Sequence, residues 1–355
     1  MKKIPEKIVT WQMLSPHHLE RVTVDVPDIK AGEALIEIAG CGICHSDISY
    51  FYGEMPIAAP RTLGHEISGT IIAGDAELIG KEVIIPAVMP CHSCPICKSG
   101  MRNRCLSARI PGYTMGIYGG NSSHIVVPTA DLCFVDDKKG FPLSHLAVVA
   151  DAVASAYQGS RRVDIQLGDR VIVVGATGGA GVYAVQICAA LGASEVIGIA
   201  RNQEKLQNIL NYGATYTIST QKKSSKEVVN EFHAYCSGKK LPSHYGWKIL
   251  EWSGSPEGQE IALELLPFAG KMLVGGFGKQ INNFPLSRLM VLNAEIIGTW
   301  ACLPEYYPDV LRIVLNGKIK VEPFIKTMPM SQIKEAYENT RRGGLAQRII
   351  LTPDF

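Results

Sequence analysis

The sequence predicts an α/β protein that combines a doubly wound parallel sheet domain with a separate β-rich domain. Three observations lead to this prediction. The chain has 355 residues, which is long for a single hydrophobic core. Its first third reads as short strands broken by Gly and Pro, whereas from residue 171 onward apolar strands alternate with helical segments. A glycine-rich turn joins the first of those strands to its helix, as in parallel sheets that bind nucleotides.

Composition narrows the class of protein. Apolar residues make up 46% and charged residues 19% of the chain, which is typical of a soluble globular protein. The net charge of +2 favours neither nucleic acid nor a membrane surface as a partner. No apolar run is long enough to span a bilayer, and the charged start at residues 1–7 lacks the apolar core of a signal peptide. We therefore expect a cytoplasmic protein whose ten cysteines serve metal binding or reactivity more than disulfides.

The β-rich part begins with strands whose polar and apolar residues alternate. Residues 21–26 show this period of two, and residues 34–39 are predicted to form a second strand after a turn around Lys30. Residues 70–73 and 80–86 continue the pattern with Gly and Pro punctuation. An antiparallel, helix-poor domain is the expected result.

A candidate metal site follows those first strands. Cys44, in Gly-Cys-Gly-Ile-Cys-His-Ser-Asp, and His65, in Gly-His-Glu, are the ligand types that zinc prefers. Asp47 is placed to accept the second ring N–H of His65, which would fix the tautomer of the imidazole. Ser46 puts a hydroxyl beside the thiolate, where it can carry a proton. The alternative is structural: a buried cysteine and a core histidine.

A second candidate metal site lies in one loop, which we call the cysteine lobe. Its four cysteines follow the spacing C-x2-C-x2-C-x7-C, and they are Cys91, Cys94, Cys97 and Cys105. Four thiolates complete a tetrahedron around zinc and leave no vacancy for chemistry, so the predicted role is structural. Two disulfides or four free thiols are the alternatives.

Residues 143–158 have a helical pattern that contains an acid in an apolar run. This acid, Asp151, needs a partner if it is buried. It either caps a helix or serves as the third protein ligand of the metal at Cys44 and His65. We favour the ligand.

The parallel-sheet part starts with the strand at residues 171–174. The turn after it contains small residues that let a pyrophosphate approach the backbone and the following helix N-terminus. Ala176 occupies the first glycine position of the G-x-G-x-x-G pattern, with Gly175 just before it. We expect the dinucleotide to lie on Gly178, Gly179 and Gly181.

The residue that ends the second strand indicates the type of dinucleotide. An acid at this position binds the ribose hydroxyls of NAD, but this chain has Ala200 followed by Arg201. A guanidinium there can bind a 2′-phosphate, so the sequence favours NADP. Arg201 stacking on adenine or facing solvent remains the alternative.

Together these motifs resemble the zinc-containing medium-chain dehydrogenase/reductase family, the alcohol dehydrogenases, over essentially the whole chain. The resemblance implies a Rossmann dinucleotide-binding domain at residues 153–299. It also implies a GroES-like catalytic domain at 1–152 and 300–355 that carries a structural zinc lobe. Each chain would then hold two zinc ions.

The resemblance also assigns roles to single residues. Catalytic zinc falls on Cys44, His65 and Asp151, and Glu66 resembles the exchangeable or second-shell ligand. Ser46 matches the hydroxyl of a proton relay, but Ser49 stands where some relatives carry the terminal histidine. The residues that match contacts to the cofactor pyrophosphate are His45 and Arg348.

A narrower resemblance points to the substrate. Five short segments resemble the sequences of dehydrogenases that act on a cyclic hydroxyacyl-CoA thioester: residues 3–8, 10–13, 44–52, 86–91 and 116–120. Ala87 is small where relatives often carry an aromatic residue, which is compatible with a ring in the pocket. The alternatives are a generic dehydrogenase of alcohols or polyols and a non-catalytic dinucleotide-binding zinc protein. The family resemblance implies a homodimer or homotetramer.

Overall fold

The computed structural model describes residues 4–279, 281–345 and 347–355. It divides into two compact units. The β-rich unit comprises residues 1–154, 301–317 and 321–355, and the parallel-sheet unit comprises residues 155–300 and 318–320. No helix among the described residues has both the length and the apolar character needed to cross a membrane.

Strands make up the frame of both units. In chain order they are β1 (Lys7–Ser15), β2 (His18–Asp25), β3 (Glu33–Gly42), β4 (Arg61–Thr62), β5 (Glu66–Ala73), β6 (Glu82–Ile85), β7 (His124–Pro128), β8 (Cys133–Phe134), β9 (Arg170–Val174), β10 (Glu195–Ala200), β11 (Tyr216–Ser219), β12 (Trp247–Glu251), β13 (Lys271–Val274), β14 (Glu295–Gly298), β15 (Ile325–Pro329) and β16 (Arg348–Thr352).

Helices connect these strands. The α-helices are α1 (His45–Phe51), α2 (Pro95–Lys98), α3 (Ala152–Arg162), α4 (Gly181–Ala190), α5 (Gln203–Ile209), α6 (Ser225–Lys239), α7 (Pro256–Glu264), α8 (Ser287–Leu292), α9 (Tyr307–Leu315) and α10 (Ile333–Arg342). A 3₁₀ segment, Leu143–Ala150, precedes α3.

The β-rich unit contains a three-stranded sheet, β2-β1-β4, and a seven-stranded sheet. The larger sheet has the order β15-β16-β3-β5-β6-β8, with β7 also paired to β3. Its pairs are antiparallel except for β15 with β16. The inward apolar residues of these strands form one core with Ile333, Ala336 and Tyr337 of α10. This core fixes the ends of β3 and β5, which lead into the candidate metal site.

The parallel-sheet unit is built on six parallel strands in the order β11-β10-β9-β12-β13-β14. The fully buried strand residues Val171, Ile172 and Val173 explain why β9 reads as a continuous apolar run. The chain passes from β9 to β10 on one side, while β12 lies on the other, so β9 and β12 flank the point where the strand order reverses. The predicted fold class, a parallel doubly wound sheet plus a β-rich domain, is confirmed.

One predicted element differs. The helical pattern at residues 143–158 is divided into the 3₁₀ segment and α3, and Asp151 is the residue between them. Its backbone has φ −139° and ψ −63°, which is not helical. Apolar periodicity continues across the break because both segments are buried, so the pattern alone does not reveal the break.

Candidate functional site

Four side chains with metal-ligand chemistry meet in the β-rich unit. Cys44, His65, Glu66 and Asp151 each present a ligand atom, and all of these atoms lie within 4.8 Å of one another. We call this set the mixed cluster. Asp151 Oδ2 lies 3.9 Å from Cys44 Sγ and 3.5 Å from His65 Nε2. Zinc bonds of about 2.0–2.3 Å in a tetrahedron separate ligand atoms by roughly 3.3–3.8 Å, so these donors fit zinc.

The sheet explains how distant residues meet. β3 and β5 are antiparallel neighbours with Gly42 opposite Glu66, so Cys44 and His65 lie just beyond the same paired end. Cys44 is extended and serves as the N-cap residue of α1. Asp151 arrives from the break between the 3₁₀ segment and α3, where its side chain is freed from a regular helical face.

Asp47 anchors the backbone around the mixed cluster. It is buried, and its two oxygens accept hydrogen bonds from Cys44 N at 3.0 Å and Gly64 N at 3.2 Å. Its Oδ1 also faces His65 Nδ1 at 3.5 Å, which is long for a hydrogen bond. Asp47 therefore lies beside His65 Nδ1, as predicted, while its hydrogen bonds to Cys44 N and Gly64 N hold the two loops that carry Cys44 and His65.

The electrostatics of the mixed cluster favour a cation. His65 Nδ1 is buried without a hydrogen-bond partner among the described residues. Burial disfavours the charged imidazolium of His65, yet Tyr113, Asp47 and Asp151 outweigh burial and raise its pKa well above the usual value. A pocket that draws a proton onto His65 also suits a divalent ion that replaces this proton.

Glu66 is completely buried and pairs with Arg348. Its Oε1 accepts a charge-assisted hydrogen bond from Arg348 Nη1, which also donates to Ile43 O at 3.0 Å. Burial, aided by the charge of Asp151, raises the pKa of Glu66 to about 7 against the opposing effect of Arg348. Glu66 Oε2 has no hydrogen-bond partner among the described residues, which leaves one oxygen for an exchangeable metal contact.

Arg348 and His45 are the residues predicted to contact the cofactor pyrophosphate. In the structure Arg348 donates a hydrogen bond to Glu66, as described above. His45, at the first position of α1, is exposed. Its pKa is lowered by partial burial and by the positive charge of Arg348, so the two predicted residues lie near each other.

Tyr113 is a site residue that the sequence analysis missed. Its hydroxyl donates a 2.8 Å hydrogen bond to Ser46 Oγ, and its ring meets His65 edge-on with centroids 5.2 Å apart. The ring of Tyr50 packs edge-on against the ring of Tyr113, with centroids 4.9 Å apart. No spacing or motif marks Tyr113, because it reaches the site through tertiary structure. Ser49, at the position of the relay histidine in some relatives, instead donates to Glu54 Oε2 at 3.1 Å.

The cysteine lobe gathers its four sulfur atoms around one point. Cys94 Sγ lies 3.5 Å from Cys97 Sγ and 3.9 Å from Cys105 Sγ, and all ten cysteines of the chain are free thiols. Backbone N–H groups of the lobe donate to sulfur, including Cys94 N to Cys91 Sγ at 3.4 Å. Hydrogen bonds from Ser93 and Cys94 lower the pKa of Cys91 to about 5. Four sulfurs at this separation fit zinc and leave no open position.

The glycine turn lies at the carboxyl end of β9 in the parallel-sheet unit. Gly175 has φ +80°, a conformation that favours glycine, and it accepts a 2.9 Å hydrogen bond from Gly178 N. A Cβ on Gly181 would collide with Gly175 O. Gly178 and Gly179 are exposed just before α4. This tight turn before a helix N-terminus fits a pyrophosphate.

The end of β10 presents basic groups without an acid at the ribose position. Ala200 is buried, and Arg201 is exposed and held through its carbonyl, which accepts from Ser219 Oγ at 3.0 Å. Burial and the charge of Arg201 lower the pKa of Lys205, so the two cations lie near each other.

Comparisons with known proteins agree with this chemistry. Two family models match: "Alcohol dehydrogenase GroES-like domain" at residues 30–137 and "Zinc-binding dehydrogenase" at residues 179–316, together more than half of the chain.

Individual relatives are similar over nearly their full length. A sorbitol dehydrogenase of Bombyx mori is 28% identical over 92% of this chain and 93% of its own. An acryloyl-coenzyme A reductase of Sulfurisphaera tokodaii is 26% identical over 93% and 95%. An alcohol dehydrogenase structure from Thermotoga maritima has a TM-score of 0.86 at 24% identity, covering 98% of this chain and 100% of its own, which supports the fold.

Fold, donor sets and matched models together define a class: a zinc-dependent oxidoreductase that acts on a CH–OH group with NAD or NADP. The chain belongs to the zinc-containing medium-chain dehydrogenase/reductase family.

Proposed function

We propose that the protein oxidises 6-hydroxycyclohex-1-ene-1-carbonyl-CoA to the 6-oxo product, a step of anaerobic benzoyl-CoA degradation. The observation that carries the dehydrogenase chemistry is the mixed cluster, whose ligand atoms lie within 4.8 Å of one another. The cyclic thioester rests on the narrower sequence resemblance. A relative that is named an acryloyl-coenzyme A reductase is compatible with a CoA thioester as substrate.

In this proposal Cys44, His65 and Asp151 hold the catalytic zinc, with Glu66 as an exchangeable ligand. Bound zinc would act as a Lewis acid and lower the pKa of the alcohol by several units. This shift corresponds to several kcal/mol of stabilisation of the alkoxide. The protein's own residues do the rest. Asp47 fixes the loops of Cys44 and His65. Ser46 relays the alcohol proton outward, because its Oγ accepts that proton as its own hydroxyl proton passes on to solvent. Tyr113 orients the Ser46 hydroxyl through its 2.8 Å hydrogen bond.

The dinucleotide lies on the glycine turn in this proposal. Gly178, Gly179 and Gly181 leave room for the pyrophosphate, and His45 and Arg348 are proposed as further pyrophosphate contacts. Arg201 favours NADP because its guanidinium can bind a 2′-phosphate where Ala200 provides no carboxylate to repel it. The narrower resemblance favours NAD instead.

The remaining parts of the proposal concern metal content and assembly. We propose two zinc ions in each chain, one in the mixed cluster and one structural ion in the cysteine lobe. We also propose a cytoplasmic homodimer or homotetramer without nucleic-acid or membrane partners.

A second candidate function is the oxidation of simple alcohols or polyols. It is favoured by the relative that is named a sorbitol dehydrogenase, which matches 92% of this chain.

Initial rates, followed by nicotinamide absorbance, separate these functions. The assay pairs the cyclic hydroxyacyl-CoA, simple alcohols and sorbitol with NAD and with NADP. We expect kcat/KM for the thioester to exceed that of every simple alcohol by at least about a hundredfold. Turnover of simple alcohols or sorbitol alone contradicts the thioester, and absence of turnover with all substrates contradicts catalysis. Arg201→Ala, measured in the same assay, should lower kcat/KM with NADP but not with NAD.

A further inference from the structure

A buried carboxylate in the parallel-sheet unit has no place in the mechanism above. Glu251 is the last residue of β12 and is 0% exposed. Its Oε1 accepts from Ser253 N at 2.6 Å, from Gly254 N at 3.0 Å and from the Ser253 hydroxyl. One carboxylate oxygen thus binds three donors of the loop that follows β12. This loop, residues 252–255, is called the β12 loop below.

The β12 loop lies against the glycine turn at backbone distance. A Cβ on Gly175 would lie 2.6 Å from Ser253 N, so only glycine allows this approach. Trp252 N also donates to Val174 O at 2.9 Å, just before the turn. The backbones of the glycine turn and the β12 loop are therefore in direct contact, so a shift of Ser253 would displace Gly175.

The loop after β13 is built against the same residues. Gly275 N and Gly276 N donate to Glu251 O at 2.9 Å and 3.0 Å. A Cβ on Gly276 would lie 2.9 Å from Glu251 Oε2 and would collide with Gly254 N. Glu251 therefore contacts the loops after β12 and β13 directly and the glycine turn through Ser253.

Keeping this acid buried is costly. Burial raises the pKa of Glu251, even though hydrogen bonds from Ser253, Gly254 and Gln259 act in the opposite direction. A neutral apolar residue would fill the same space without this cost. What the carboxylate adds is an acceptor, Oε1, for the three hydrogen-bond donors of the β12 loop.

We propose that Glu251 is a positioning residue for dinucleotide binding, which holds the β12 loop so that the glycine turn keeps the shape that receives the pyrophosphate. The inference rests on the dinucleotide role of the glycine turn in the proposed function. It assigns Glu251 no contact with the substrate and no proton transfer.

The proposal distinguishes two substitutions of similar size. All three donors of the β12 loop hydrogen-bond to Oε1. Glu251→Gln keeps an acceptor oxygen for them, whereas Glu251→Met fills the space but cannot accept their hydrogen bonds. Glu260→Gln is the matched control, because Glu260 is an exposed acid on the neighbouring helix α7. The experiment titrates each purified full-length holoenzyme with NADH and NADPH by fluorescence. It also measures zinc content, thermal midpoint, and KM for the alcohol at saturating dinucleotide.

We expect Glu251→Met to weaken dinucleotide binding by about tenfold or more, and Glu251→Gln and Glu260→Gln by less than about threefold. Zinc content and KM for the alcohol should stay unchanged in all three variants. A Met variant that melts earlier but binds the dinucleotide like the parent overturns the proposal, because it shows a purely structural role. Equal weakening by Gln and Met overturns the assignment of the effect to the acceptor oxygen.

Ser253→Ala is the second variant if Glu251→Met does not fold. It removes the hydroxyl that links Glu251 Oε1 to Ser255 N, which donates to Ser253 Oγ at 3.1 Å. We expect binding to weaken about threefold, and unchanged binding overturns the proposal. A parent enzyme that binds neither dinucleotide refutes the proposed function itself, a result distinct from any difference between variants.

Discussion

The cysteine lobe and the mixed cluster are both fit for zinc, but they are assembled in opposite ways. The lobe takes four sulfur atoms from the 15 residues 91–105, and its own backbone N–H groups donate to those sulfurs. The mixed cluster takes sulfur, nitrogen and oxygen from residues 44, 65, 66 and 151, with Asp47 and Arg348 as supports. A local, saturated set suits stability, whereas a dispersed set with an exchangeable oxygen suits chemistry.

The strongest test of this contrast is Cys44→Ser. We expect turnover to fall by at least about a thousandfold, because several kcal/mol of transition-state stabilisation depend on a properly held metal. Zinc content should fall by one ion per chain while the dinucleotide still binds. Steady-state rates, metal analysis and fluorescence titration check this, with Cys236→Ala in the core of the parallel-sheet unit as control. Retained turnover would refute the assignment of Cys44.

Cys97→Ser should have the complementary effect. Loss of a lobe ligand is expected to cost about 5 kcal/mol of folding free energy, equivalent to a thermal midpoint lower by roughly 10 °C. The kcat of the protein that remains folded should change by less than about threefold, since the lobe supplies no reacting group. Calorimetry and active-site-normalised rates measure both quantities. A loss of kcat as large as that of Cys44→Ser would erase the distinction between the two sites.

Arg348→Met tests whether the mixed cluster depends on the cation that contacts Glu66 from a remote part of the sequence. The substitution leaves the Glu66 carboxylate buried without its guanidinium, so we expect a loss of about 3 kcal/mol of stability. The double variant Glu66→Gln/Arg348→Met should recover part of this loss, because it removes the uncompensated charge. Denaturant unfolding of the parent, both single variants and the double variant gives the coupling energy. Additive effects would show that the pair is not coupled.

Tyr113→Phe is expected to have the smallest effect. It removes the hydroxyl that donates to Ser46 and retains the ring against His65, so kcat should fall about fivefold while dinucleotide affinity is unchanged. Tyr118→Phe is the control, since among the described residues its hydroxyl donates to Asp25 O at 3.4 Å, away from the mixed cluster. In a Ser46→Ala background the Tyr113→Phe effect should disappear. If the effect persists there, Tyr113 acts by a route other than Ser46.

The same contrast explains what the sequence could predict. The cysteine lobe could be predicted because its four cysteines lie close together in the sequence. The parallel sheet could be predicted because β9 and β10 contain continuous apolar runs. Cys44, His65 and Asp151 could be grouped as candidate ligands from their chemistry, and the family resemblance implied the same grouping.

Two contacts around the mixed cluster could not be predicted from the sequence, although Asp47 was. The Glu66–Arg348 pair joins residues 282 positions apart, and Tyr113 reaches Ser46 across 67 positions. Neither leaves a periodic or local signal. The break at Asp151 is hidden as well, because apolar residues continue on both sides of it.

The pairing of β16 with β3 also imposes a temporal order on the mixed cluster. Leu351 lies opposite Cys41 and Ile350 opposite Gly42, and Arg348 begins the same strand. On the ribosome, residues 348–352 emerge only after the whole of residues 155–300. A nascent chain can therefore complete its cysteine lobe early, but Glu66 gains its cation only once β16 has been synthesised. The Glu66–Arg348 pair is thus completed late in synthesis, after all four residues of the mixed cluster and the whole cysteine lobe have been made.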